Sequence, residues 1–320
     1  MDLIYTDGER VDLGSLLDFK LDLAYGLDEN NFELTVSIKN HICDEGSIIY
    51  MEGTEYGGIV DAIRVETENR TIIYKGCTWH GLLESKVIEP DAGEDYLVCS
   101  GEANDVIGQL IERMGLSELF KVSNNISGLT INNYVMNRYI KGYTGIRKML
   151  ATVGGKLKFI FESGFVVLSA EPRVDYSQDD EFDSDQIDFV IEKKFKPTNH
   201  MICLGRGELK DRTVIHLYTD DEGHISHIQS LFGLDERTDV YDNSNAESAE
   251  ELENGGVEAL EAAWNEGELQ LDLDATTEYD IDDIVGAREN VTGITMARSI
   301  AKKIVTIEKG LVKITHKVGE

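Results

Sequence analysis

Two histidines, in His224-Ile225-Ser226-His227, follow Asp220, Asp221 and Glu222 and are the residue types that hold a divalent metal. A zinc site needs three or four converging ligands, and this spacing supplies two. A polar loop after the segment TVIHLYTD is the expectation there. Cys77 and His80 in GCTWHG have the types of a thiol nucleophile and its base. Residues three apart on an extended chain project to opposite faces, so a packed Trp79 beside a loop is expected instead. LGRGE, Leu204 to Glu208, has glycines suited to a phosphate loop but neither the Lys-Ser/Thr pair nor a third glycine. Gly205 and Gly207 are therefore assigned to a β-bulge or tight bend. LDLDATTEYDIDD carries carboxylates enough for Ca²⁺ without the EF-hand spacing, and Asp272 and Asp274 alternate with Leu271 and Leu273 as on the wet face of a strand. An abundance of Asp and Glu permits a glycosidase pair but is no sign of one. The sequence thus assigns no catalytic, cofactor-binding or metal-binding residue, and a non-enzyme is expected.

Charge narrows the partners. The 61 acidic and 30 basic residues give a net charge of -31, which disfavours the outside of a nucleic acid and an anionic lipid surface alike. The acids crowd into Asp175 to Asp188 and Asp239 to Asp283, as solvated faces or loops do. An apolar share of 41 % argues for folded domains. The start MDLIYTDGERVDL has no signal-peptide pattern and no long apolar run follows, so no membrane partner is expected. Cys43, Cys77, Cys99 and Cys203 stand singly, as reduced and partly buried thiols do.

The elements that must position these residues are mostly strands. Leu17, Phe19, Leu21 and Leu23 alternate with polar residues, as do Phe32, Leu34, Val36 and Ile38. Ser47 to Met51, Gly58 to Thr67 and Thr71 to Lys75 complete a five-strand meander able to close a small barrel. The period then changes: Val106, Ile107, Leu110, Ile111 and Met114 make a helical stripe ended by Gly115, and a second helix is expected from Gly145 to Val153 with Thr144 as its N-cap. KLKFIF and FVVLSA form a hairpin about Glu162-Ser163-Gly164. Strand patterns return in IDFVIEKKF, HMICLGRGELK and TVIHLYTD. They are interrupted by a helical stretch at about 243–267, where Val257, Leu260 and Trp264 share a face and Gly255 and Gly256 weaken the first turns. The closing segment from Asp280 repeats the layout of Glu45 to Gly76: a short strand, a loop, a glycine (Gly58, Gly293), a long strand, a polar turn and a return strand. The fold class expected is α+β, mainly β. Two β-barrel domains, 1–92 and 175–320, flank a small α+β domain, 93–174, and the second barrel carries the helical insertion.

Four passages in order carry a family resemblance: TEYGGIVDAIRVETENRTIIYKGCTWHGLLESKVIEP, HMICLGRGELKDRTVIHLYTD, the acidic Glu/Ala helix, and YDIDDIVGARENVTGITMARSIAKKIVTIEKGLVKITHKVG. Together they resemble the baseplate hub proteins of contractile phage tails, PBSX-like defective prophages and R-type tailocins, akin to the Gp37-like tail proteins. The resemblance implies tail-tube-like barrels and a homotrimer whose two barrels per subunit make a ring of six. That ring would adapt a six-fold tail tube to a three-fold central spike. The partners implied are the tail tube or a distal tube-initiator protein, the spike and the tape-measure protein, with DNA passing an acidic channel without specific binding. Assembly in the bacterial cytoplasm and residence in a virion or tailocin particle follow. Alternatives from other classes are a tail-tip cell-wall hydrolase and a receptor-binding module. Larger relatives carry lytic or receptor-binding extensions after the hub core, and because this chain stops at Glu320 the resemblance does not extend to lytic activity.

Overall fold

The computed structural model describes residues 2–26, 29–177, 182–185, 188–246, 248–265, 267–270, 272–274 and 279–319. The chain divides into two compact units. One comprises Met1–Phe189, Gln270–Asn290 and Ala297–Gly319; the other comprises Val190–Leu269, Val291–Met296 and Glu320. The protein is mainly β with few helices.

In the larger unit a twelve-stranded sheet runs in the order Phe182–Asp183, Ile284–Arg288, Thr295–Glu308, Lys20–Gly26, Asn31–Ser37, Thr71–Thr78, Gly57–Glu66, Ile48–Tyr50, Leu3–Thr6, Asp12–Leu16. Leu311–Val318 pairs with Thr295–Glu308 and with Asp272–Asp274. Period-two alternation places Leu21, Leu23, Tyr25, Phe32, Leu34 and Val36 in one core, which Val305 and Ile307 complete from the other end of the chain. The five expected strands are present. The first of them starts at Lys20, and Leu17 is exposed. The first hairpin, Leu3–Thr6 with Asp12–Leu16, is not visible in the sequence because DLGSL buries only Leu16 and so has no alternation to read.

Among the described residues no closed barrel is formed by these pairings. The Lys20–Gly26 edge that a self-contained barrel would close upon is taken by the far end of the chain, from Lys302↔Gly26 to Glu308↔Lys20. Thr295–Glu308, at 14 residues, is long enough to serve this edge and Leu311–Val318 at once. The two similar blocks do share a layout. Ile48–Tyr50, Gly57–Glu66 and Thr71–Thr78 are neighbours in the sheet, and so are Ile284–Arg288, Thr295–Glu308 and Leu311–Val318. Gly58 lies inside its long strand, where a Cβ would fall 2.2 Å from the Cys77 carbonyl, whereas Gly293 precedes its strand at φ +70°.

Three helices belong to this unit: α1 (Trp79–Glu84), α2 (Ala103–Arg113) and α3 (Gly142–Ala151). The amphipathic stripe Val106, Ile107, Leu110 and Ile111 is buried, and Gly115 at φ +71° follows the end of α2. α1 is where a loop is expected from the sequence; the Thr78 side chain caps it by accepting from the Gly81 N–H. Thr144 does not cap α3, which begins earlier. Its N–H and hydroxyl both donate to the Glu84 carboxylate at 2.9 Å, so a side chain sixty residues away answers the exposed amides of this helix start. The hairpin is as expected, Gly155–Glu162 with Phe165–Pro172, turning at Ser163 and Gly164, both at positive φ.

In the smaller unit His200–Leu204 lies between Val214–Thr219 and Thr238–Asp242, with Ile225–Ser226 at the edge. Helix α4 (Ala249–Trp264) covers one face through Leu252 and Leu260 against Met201, Cys203 and Leu217. Gly255 and Gly256 are places of close approach: a Cβ at Gly256 would lie 2.2 Å from Cys203 Sγ, and one at Gly255 would lie 2.3 Å from the Tyr241 hydroxyl.

Candidate functional site

The densest buried chemistry gathers on Asp280-Ile281-Asp282-Asp283, a turn before the Ile284–Arg288 strand. Lys156, first in an outward-reading KLKFIF strand, is instead almost wholly buried, and its ammonium donates to Asp280 at 2.6 Å and to both oxygens of Asp283 at 2.9 Å. Asp283 also accepts the Val174 and Asp280 backbone N–H groups. Arg147 of α3 grips Asp282 with two donors, at 2.9 and 2.5 Å, while Asp282 sits at φ +76°. Such a fork fits a carboxylate and holds an otherwise costly backbone conformation in place. Burial opposes the charge of Asp280, but the hydrogen bond and charge of Lys156, with Lys158 and Lys303 beyond, outweigh it and hold the carboxyl below its ordinary value.

Beside this turn a cavity of about 300 Å³ is lined by Glu55, Tyr56, His80, Phe159 and Asp280 among others. His80 is 2 % exposed, stacked on Phe159 at 3.7 Å and flanked by the rings of Tyr25 and Tyr143. Burial, then the charges of Lys303 and Arg147, push its pKa well below the usual histidine value, so the ring is neutral. Its Nε2 lies 3.6 Å from Glu55, beyond hydrogen-bond reach, and Glu55 instead accepts the Lys303 ammonium at 2.7 Å. Cations and carboxylates here neutralise one another pairwise, an arrangement that joins segments distant in sequence and leaves no base poised beside a nucleophile.

The residues weighed in the sequence are not brought together. His224 bonds Asp220 at 3.1 Å on the surface, and His227 bonds Glu253 of α4 at 2.9 Å. Among the described residues no three His, Cys, Asp or Glu side chains converge to hold a metal. Cys77 closes a strand and His80 lies in α1; burial, with Asp61 nearby, pushes the Cys77 thiol up to about 12. Gly207 at φ +110° makes the bend expected of LGRGE, and Arg212 crosses it to Gly205 O and Asp242. The backbone of Asp272–Asp274 is a strand; those side chains lie outside the described residues. Two features escape the sequence reading. His200 and His216 meet at 2.8 Å on the open face of the smaller sheet, with Glu236 on the other ring nitrogen of His200. Lys303 shares a buried face with Val305 and Ile307, and a lysine in that register is the signal that could have revealed it.

No protein-family model matches the sequence, and no curated protein matches it. Solved structures do match, over the whole chain. The 43 kDa tail protein of prophage MuSo2 from Shewanella oneidensis matches at a TM-score of 0.58 and 12 % identity, covering 100 % of this chain and 98 % of that one. Prophage tail protein gp18 from Listeria monocytogenes EGD-e matches at 0.56 and 13 % identity, covering 99 % and 94 %. A chain of the p2 virion baseplate in activated conformation matches at 0.50 and 10 % identity, covering 99 % and 98 %. This chain has the fold of phage tail proteins. With that fold, the clamp of Asp280, Asp282 and Asp283 is a device for locking a tail-protein architecture.

Proposed function

We propose that this chain is a structural baseplate hub subunit of a phage or phage-like tail and not an enzyme. The observation that carries the reading is the likeness of fold over the entire length of this chain and nearly the entire length of two tail proteins and a baseplate protein. The two blocks of short, long and return strands support a duplicated module, and a homotrimer of such chains offers six similar surfaces. In that role it is a ring adapting a six-fold tube to a three-fold spike, in contact with the tube or its initiator and the tape-measure protein. The net charge of -31 favours passage of DNA without adhesion. No helix among the described residues is long and apolar enough to cross a membrane.

Native mass spectrometry with electron-microscopic class averages tests this, on the protein alone and mixed with tube and spike proteins. Three-fold rings with a central opening are expected. A chain that stays monomeric in every mixture argues against the ring, and a band of lysis at its mass on peptidoglycan gels would replace the structural reading with a hydrolase.

A further inference from the structure

The strand Leu97–Glu102 pairs along one edge with Thr130–Met136, and no strand pairs with its other edge among the described residues. Helix α2 lies beside it across a groove of about 410 Å³. Cys99, Val106 and Leu110 are the buried wall of this groove, Leu97 is half-buried, and Asp91 and Glu112 stand exposed at its rim. An unpaired edge presents a row of backbone donors and acceptors, and a groove beside it receives alternate side chains of an added strand. Six residues offer about 20 Å of ladder.

The electrostatics select the occupant. From Val87 to Glu112 the chain carries Asp and Glu but no Lys or Arg. Arg113, next in line, is held by Asp91 at 2.7 Å and by the Glu89 carbonyl at 3.2 Å. The rim is therefore negative, and a second copy of a chain with net charge -31 is repelled from it. We propose that this groove receives an extended segment of a different protein, in which apolar residues alternate with Lys or Arg, added as a strand to the free edge of Leu97–Glu102. Apolar side chains of that segment enter the groove, basic ones meet Asp91 and Glu112, and the backbones complete the ladder. The contact goes beyond the hub reading, because it requires neither a ring nor a trimer.

Amide hydrogen exchange on the full-length protein tests it with three synthetic probes: a (Lys-Val)4 peptide, its (Glu-Val)4 counterpart, and (Lys-Val)4 N-methylated at alternate residues. The first is expected to slow exchange across 97–102 at least tenfold and the other two to leave it unchanged. Gln109→Trp, which fills the groove, should abolish the protection, and Glu112→Lys on the exposed rim should weaken it several-fold. Equal protection by the N-methylated peptide would reduce the effect to charge attraction. Protection only elsewhere, protection of 97–102 by raising protein concentration alone, or none at all would each overturn the proposal.

Discussion

Lys156 and Asp283 meet at 2.9 Å with 5 % and 2 % of their side chains exposed, joining the first strand of the central hairpin to a turn 127 residues away. Removing one partner of such a pair strands the other in a low-dielectric interior, at a cost of about 3–5 kcal/mol. Lys156→Met should lose that much in urea unfolding. Adding Asp283→Asn should return part of it, because Asn keeps an acceptor for the Val174 and Asp280 amides. A loss under about 1 kcal/mol for the single variant would show the pair to be incidental.

Acid should weaken the fold in two stages. His80 is neutral when folded and faces Glu55, Lys303, Arg147 and Tyr143. Its folded pKa lies below its unfolded one, so the unfolded chain takes up a proton below about pH 6.5 that the folded chain refuses, and stability falls from there downward. Asp280, held below its ordinary value, adds a second loss as pH drops below about 3.9 and through its folded pKa. Melting temperatures across this range should decline from near pH 6.5, and His80→Phe should flatten that first decline only.

Gly256→Ala sets two effects against each other. Alanine favours a helix interior over glycine by about 1 kcal/mol, yet its Cβ would lie 2.2 Å from Cys203 Sγ in a packed core, and overpacking costs about 1–3 kcal/mol. Packing wins, so the single variant should be less stable. Cys203→Ala in the same chain should rescue it, and a double-mutant cycle on denaturant midpoints reads the coupling.

Thiol labelling gives a fourth check. Burial, with Asp44 beside Cys43 and Asp61 beside Cys77, pushes both thiols up to about 12. Native protein at pH 8 should react slowly with a disulfide reagent, and urea should release all four free cysteines. Rapid labelling of Cys77 in the native state would revive the nucleophile reading of GCTWHG.

Much of the local structure was legible because it repeats within a few residues. The alternation in Asn31–Ser37, the stripe of α2 and the turn at Ser163-Gly164 each write their signal in one short window. α1 was not legible, since six residues are too few for a helical period and Thr78 caps them through a single hydrogen bond. Gly255 and Gly256 read as weak points in a helix because the side chains that need their space, Tyr241 and Cys203, belong to strands elsewhere in the chain.

By itself the sequence determined the mainly β character, the four long hairpin and helix patterns, the acidity and the lack of a ligand set at His224 and His227. Tertiary structure alone decided that Lys20–Gly26 pairs with Thr295–Glu308, that Glu84 caps α3, and that Lys156 and Arg147 close on Asp280, Asp282 and Asp283. Periodicity and capping are short-range effects that neighbouring residues specify. Edge pairing and charge burial depend on which distant surfaces leave water together, and no window of sequence contains both partners.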